Sequence, residues 1–340
     1  MNRLAIAFLL LLAACSRAEK DEPKPVFIGD FPDRALLARC ELLNAPVVGT
    51  PTTLRSVGDT AYLVDLAMER ETALLGRDLE VLATVRYRAE GPLAVREVRD
   101  LALVDDTVIL YADRPAQALT RISLGGREMG GLRLGFPPES ILPLGGDILV
   151  ARTVLGRPTE PLLTVLDPSG RGRPVPGEPV HLGDPLLQTL ANLLILLPGS
   201  GSGAVGIHQF LSPVARLISA PDPTGRRVAR VVSVPVPGTM AERYGWLPER
   251  PFRDDEILQI LAPALAADVD RRTGEFLVLT RWSTVADGPS EKAVLRLDGE
   301  FAFRGAVRLP VNAGQLLYRA LDRSLIVIDD LDRWHRCDAP

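Results

Sequence analysis

Lysine is nearly missing from this chain. Among 340 residues only Lys20, Lys24 and Lys292 are lysine, so almost all of the basic charge is arginine, a bias of composition rather than a binding signature. The formal net charge is −4, and no segment gathers basic residues as nucleic-acid binding requires, which excludes nucleic acid as a partner. Histidine is equally scarce. His181, His208 and His335 stand far apart without H-x-x-x-H spacing, so no metal and no cofactor is expected. No serine lies in a G-x-S-x-G motif, and the glycine-rich Gly199 to Gly203 stretch has no Lys-Ser or Lys-Thr after it. Neither an elbow-type hydrolase nor a phosphate-binding loop is supported, and GSGSG reads as a turn. Aromatics make up 5% of the residues, and no apolar run approaches the roughly 20 residues that span a bilayer.

What is present is a globular composition, 46% hydrophobic and 24% charged, with 29 prolines and 29 glycines for many turns. The chain starts MNRLAIAFLLLLAAC: a basic residue at Arg3, an apolar stretch from Leu4 to Ala14, then Cys15. That is the pattern of a secretory signal peptide over residues 1–14. The ending Leu12-Ala13-Ala14-Cys15 resembles the lipobox of bacterial lipoproteins. The resemblance implies cleavage before Cys15, a lipid on its sulfur and membrane attachment through that lipid. Ser16 follows, where an aspartate would have suggested the inner membrane, so the expected address is the cell envelope, at the outer membrane. The charged, proline-rich stretch after Cys15 reads as a flexible tether over residues 15–38.

From Arg39 onward one pattern recurs. Apolar runs around Gly, Asp or Asn turns appear at 54–66, 101–112, 141–152, 186–198, 267–281 and 318–329, and predict six inner β-hairpins buried on both faces. The first five are followed by a second hairpin at 73–85, 119–134, 161–175, 216–231 and 293–307, with turn glycines at Gly76, Gly126, Gly170, Gly225 and Gly299. Their spacing approximates the period of a four-stranded propeller blade. The sixth unit ends early, at DRWHRC near the C-terminus. If that run supplies a third strand and CELLN, from Cys40, supplies the fourth, both chain ends close the ring in one blade and leave no raw edge.

The predicted fold class is therefore all-β, a six-bladed propeller over residues 39–340, with seven blades as the alternative because the interval from Gly225 to Gly299 is long. Such closure sets Cys40 beside Cys337. With Cys15 carrying lipid, the two would form a disulfide, the competing view being two unrelated thiols. The apolar-strand, Gly/Asp-turn units resemble the six-bladed superfamily that includes the NHL-repeat and TolB-like groups, though the glycine- and aspartate-rich signatures of NHL repeats are largely missing.

An insertion at about 237–266 interrupts the pattern. It gathers Tyr244, Trp246 and Phe252 beside Arg253, and sets Asp254 and Asp255 ahead of an apolar run, as at a helix start. These six residues are candidate ligand contacts, or else a small satellite core. The pairs Asp105-Asp106 and Asp329-Asp330 read as turn chemistry rather than as catalytic carboxylates. With no catalytic motif found, the expected role is a lipid-anchored envelope module binding a protein, peptide or glycan partner. The alternatives are an envelope hydrolase, lactonase or lyase with its site in the central channel, as some six-bladed relatives have, and a purely structural protein. A channel mouth lined by aliphatic residues and arginine would favour binding; carboxylates converging with a histidine would favour chemistry.

Overall fold

The computed structural model describes residues 27–28, 36–91, 93–154, 161–177, 185–209, 214–233, 236–237, 264–282 and 291–338. Six antiparallel sheets stand around a central channel. Blade 1 consists of Thr53–Val57, Ala61–Leu66, Glu71–Gly76 and Val81–Arg86, and blade 2 of Val98–Val104, Val108–Asp113, Ala118–Ser123 and Glu128–Arg133. Blade 3 contains Pro138–Leu144, Asp147–Arg152, Leu163–Leu166 and Gly172–Val175; blade 4 contains Leu194–Pro198, Ala204–His208, Val214–Ile218 and Ala229–Ser233. Blade 5 is built from Ala266–Asp270, Glu275–Trp282, Glu291–Leu297 and Phe303–Leu309. In blade 6, Ala313–Arg319, Ser324–Asp329 and Trp334–Asp338 are completed by Cys40–Leu42 from the other end of the chain.

The first strand of each blade lines the channel and the fourth forms the rim. Second strands are apolar on both faces because each is sandwiched between neighbouring blades, as in Val108–Asp113, where every residue is buried. Fourth strands such as Val81–Arg86 face water on one side and alternate accordingly. Six core clusters result, one in each gap between adjacent blades. The cluster that closes the circle packs Tyr62, Val64 and Leu75 of blade 1 against Leu317, Ile326, Ile328 and Trp334 of blade 6. Among the described residues no helix is long and apolar enough to cross a membrane.

Ring closure follows the expected scheme. Cys337 pairs in register with Cys40, the Cα atoms are 4.1 Å apart, and the sulfurs stand 2.01 Å from each other across 297 residues of sequence. There are six blades, not seven. The long interval after Gly225 is taken up between blades 4 and 5.

Three details differ from the sequence reading. Residues 186–191 belong to a helix, Pro185–Ala191, so the inner hairpin of blade 4 lies further on and turns through Gly199 to Gly203. A short leucine-rich run suits either state. Here Pro185 opens the helix, where its missing N–H costs nothing, and the Asn192 side chain donates to the Gln188 carbonyl at its end (2.7 Å). The folded body also reaches back into the segment read as tether: Leu36–Leu37 lies parallel to Phe303–Leu309 as a fifth strand of blade 5, and Phe27–Ile28 pairs with Val236–Pro237. Finally, the left-handed position of the outer turns is held by Leu79, Gly126, Gly170, Gly225 and Phe301, so Gly76 and Gly299 are not equivalent to the other three turn glycines. Phe301 accepts a φ of 65° while buried with its ring stacked on Phe276, 5.1 Å between centroids.

Candidate functional site

Propeller strands alternate in direction, so the two faces of the disc carry different connections. One face holds the turns inside inner and outer hairpins, the other the links within blades from second to third strand and between blades. On the first, the inner-hairpin turns are 58–60, 105–107, 145–146, 199–203, 271–274 and 320–323. Asp105 and Asp106 form one of these, with φ of 51° and 54° at the two central positions, which is turn chemistry as expected. On the second face lie the described connections 43–52 and 87–91, with 93–97, and the described ends of those between blades 3 and 4 and between blades 4 and 5. The channel mouth on that side opens into a cavity of about 640 Å³.

This cavity is lined from all six blades, by Thr53, Arg55 and Arg70, by Arg96 to Arg99, by Glu139, by Leu194 and Gln209, by Ala266, and by Gln315, Asp329 and Asp332. Its floor is a polar girdle on the first strands. Arg55 donates from Nε to Asp100 Oδ1 (2.5 Å) and from Nη2 to Asp100 Oδ2 (2.6 Å), and Ser140 Oγ donates to the same Oδ2 (2.7 Å). The backbone N–H groups of Leu101 and Ile141 complete the Asp100 shell, and Leu196 N–H donates to Ser140. On the other side Ser56 Oγ donates to Asp268 Oδ2 (2.5 Å), which also accepts from Tyr318 N–H (2.8 Å). The two branches meet at the adjacent residues 55 and 56, so hydrogen bonds near the axis join every blade. Burial works against the Arg55 charge, but Asp100 outweighs it and the guanidinium is held above its ordinary pKa. Burial pushes Asp268 up from the usual aspartate range.

Above the girdle, Arg99 pairs with the buried Glu139, which also accepts from Thr153 Oγ1 (3.1 Å). Asp329 is held well below its usual pKa: burial opposes its charge, but hydrogen bonds from Arg333, His335 and Leu331 prevail. Two of those come from turn N–H groups, at Leu331 and Arg333, so the Asp329-Asp330 pair is turn chemistry too. Tyr87 also borders the cavity, and behind it Asp65 is fully buried, accepting from Thr52 Oγ1 (2.8 Å) and Thr72 Oγ1 (3.1 Å). Desolvation raises its pKa to about 6. The exposed guanidinium-bearing residues at the mouth are Arg70 and Arg96.

Among the described lining residues there is no histidine, and the buried carboxylates nearest the axis are engaged by arginine, hydroxyl or backbone N–H groups. His208 is buried elsewhere, in blade 4, with Nδ1 2.6 Å from the Ala191 carbonyl and Nε2 accepting from Arg216 (3.1 Å). Desolvation first and Arg216 second lower its pKa to about 3, so it stays neutral. Among the described residues no group of three His, Cys, Asp or Glu side chains could hold a metal ion. Of the residues singled out from sequence, Cys40 and Cys337 are brought together, while Cys15, Tyr244, Trp246, Phe252, Arg253, Asp254 and Asp255 lie outside the described residues. The girdle was missed. The only trace in the letters is a polar residue within each of these first strands, never alone there: Arg55 in TLRSV, Asp100 in VRDLALV, Ser140 in PESILPL and Asp268 in AADVD.

No protein-family model matches the chain, and no curated protein matches it. Solved structures do share its fold. A member of the DUF4221 family from Bacteroides vulgatus is 10% identical, with a TM-score of 0.53 over 89% of this chain and 96% of that one. A Bacteroides fragilis protein predicted to be exported is 11% identical, with a TM-score of 0.54 over 93% and 99%. Virginiamycin B lyase from Staphylococcus aureus is 10% identical, with a TM-score of 0.50 over 89% and 100%. At these identities the likeness is one of fold.

Proposed function

We propose that the protein is a lipid-anchored binding module of the cell envelope, held through Cys15 at the outer membrane, that engages a protein, peptide or glycan partner with the loop face around the channel mouth. The observation that carries this reading is a cavity at the channel mouth, bordered by Thr52, Tyr87 and Arg96 from the connections on either side of blade 1, whose deepest charges are already paired. Loops on a rigid scaffold are where binding residues concentrate, and guanidinium groups such as those of Arg70 and Arg96 supply charge at the surface rather than a reacting group. The Bacteroides neighbour predicted to be exported is consistent with an envelope address. Function resides in the site rather than the fold, so the lyase likeness brings no chemistry with it.

The test is site-specific photocrosslinking in intact envelopes. A photoreactive residue at position 97, exposed in the lining of the mouth, should trap a discrete partner, and the same residue at position 106 on the opposite face should not. Equal trapping at the two positions would overturn the loop-face assignment, and turnover of an envelope substrate that is lost in Glu139→Gln would replace the binding reading with the channel-enzyme one. Lipidation is checked separately, by the mass of the mature N-terminal peptide and its loss in Cys15→Ser.

A further inference from the structure

The short-turn face departs from its own economy in one place. Its longest first-to-second-strand turn, 199–203, and its longest third-to-fourth-strand connection, 219–228, both belong to blade 4 and both border a cleft between blades 4 and 5. The cleft holds about 870 Å³, more than the channel mouth, and lies on the other side of the disc. Its floor is the packed core between blades 4 and 5, where Val205, Val269 and Phe276 are buried, and the apolar surface left to the cleft comes from the partly buried Leu217 and the exposed Val228. Its rim is cationic. Arg230, Arg271 and Arg272 are exposed around it, against Glu300 as the carboxylate of the described lining.

We propose that this cleft docks an extended peptide segment of a partner protein, one carrying carboxylates beside apolar side chains. The guanidinium excess complements acidic residues, and the apolar surface of Leu217 and Val228 accepts the apolar ones. Arg230 is paired with Glu300 at 3.0 Å, both largely exposed at 64% and 78%. An ion pair so open to water adds little stability, so a ligand carboxylate can take the place of Glu300 without a large penalty. Arg272 is drawn toward the buried Asp270 at 3.7 Å, which orients it at the edge of the cleft. Val228, 53% exposed on the longer connection, adds an apolar lip.

The experiment measures anisotropy of a fluorescein-labelled peptide of alternating Glu and Phe or Leu, with the mature full-length protein. The controls are the same peptide with Gln for Glu, and anionic phosphatidylglycerol vesicles. The acidic peptide should bind, and binding should weaken at least tenfold in Arg230→Glu/Arg271→Glu and with the Gln peptide. Thr273→Trp, which fills the cleft without altering charge, should weaken it comparably, while Glu300→Gln should match or exceed the parent. Arg133→Glu, exposed on the rim strand of blade 2, should leave peptide binding unchanged. Equal binding of the Gln peptide, full affinity in the two cleft variants, no binding at millimolar peptide, or arginine-dependent binding of the vesicles alone would each overturn the proposal.

Discussion

The two faces of the disc solve different problems with the same strands. On the short-turn face, local chemistry decides the backbone: Asp167 Oδ1 accepts from the N–H groups of Ser169 and Arg171, Asp222 Oδ1 from those of Thr224 and Arg226, and Asp298 Oδ1 from those of Glu300 and Ala302. Three blades thus repeat one hydrogen-bonded turn. On the other face the same turn is found among the described residues at Asp329, whose Oδ1 accepts from the N–H groups of Leu331 and Arg333, while neighbouring blades are linked by anything from 310–312 to 234–265. The contrast teaches that register is set mainly on one side, which leaves the other free to vary without disturbing the sheets. The girdle at the axis belongs to neither face and holds the two together.

Substitutions can break or sharpen this contrast. Ring closure should matter most: Cys337→Ser opens a loop of 297 residues, and the loop-entropy model gives a loss of up to about 5 kcal/mol, read as the denaturation midpoint under non-reducing conditions. Next is the girdle. Asp100→Ala leaves the Arg55 guanidinium without its partner at the axis and should cost about 3–5 kcal/mol in urea unfolding, with both faces affected alike.

The pH dependence comes third, and its sources are of opposite sign. Asp65, raised to about 6, binds its proton more tightly in the folded chain, so its contribution is present near pH 4 and is lost as pH rises through 6. His208, lowered to about 3, is neutral when folded, so stability falls as pH drops below its ordinary value of 6.5. Asp65→Asn should weaken the first trend, to which the raised Asp268 also contributes, and keep the second in melts from pH 4 to 8; a profile unchanged by the substitution would show that Asp65 does not titrate differently on folding.

The smallest pair of effects separates the faces directly. Gly225→Ala, at φ 75° with a new methyl 2.9 Å from Arg173 Nη1, should cost about 1–2 kcal/mol and leave loop-face crosslinking intact. Arg96→Ala should change stability by less than about 0.5 kcal/mol and abolish that crosslink. If both variants behaved alike, the division of labour would fail.

How much of this was legible in the letters depended on the range of the forces involved. Turns such as DPSGR and DPTGR are written within five residues, so the outer hairpins and the short-turn face could be read directly. Closure was legible because the last unit lacked a strand that Cys40–Leu42 could supply. The helix Pro185–Ala191 was not, since a short apolar run has no period of its own and its state is chosen by the neighbouring blades. The girdle is a relation between Arg55, Asp100, Ser140 and Asp268 that exists only after the circle has formed. Nothing local marks those four residues as partners.

A polypeptide synthesised from its N-terminus presents Cys40–Leu42 almost at once, yet the strand it must join is nearly the last to be made. For most of translation the early segment waits unpaired while five blades assemble behind it, and a chain cut before Trp334 would leave it so. Completion of the ring thereby makes the earliest strand of the last blade answer to the latest: neither is covered until both have been made.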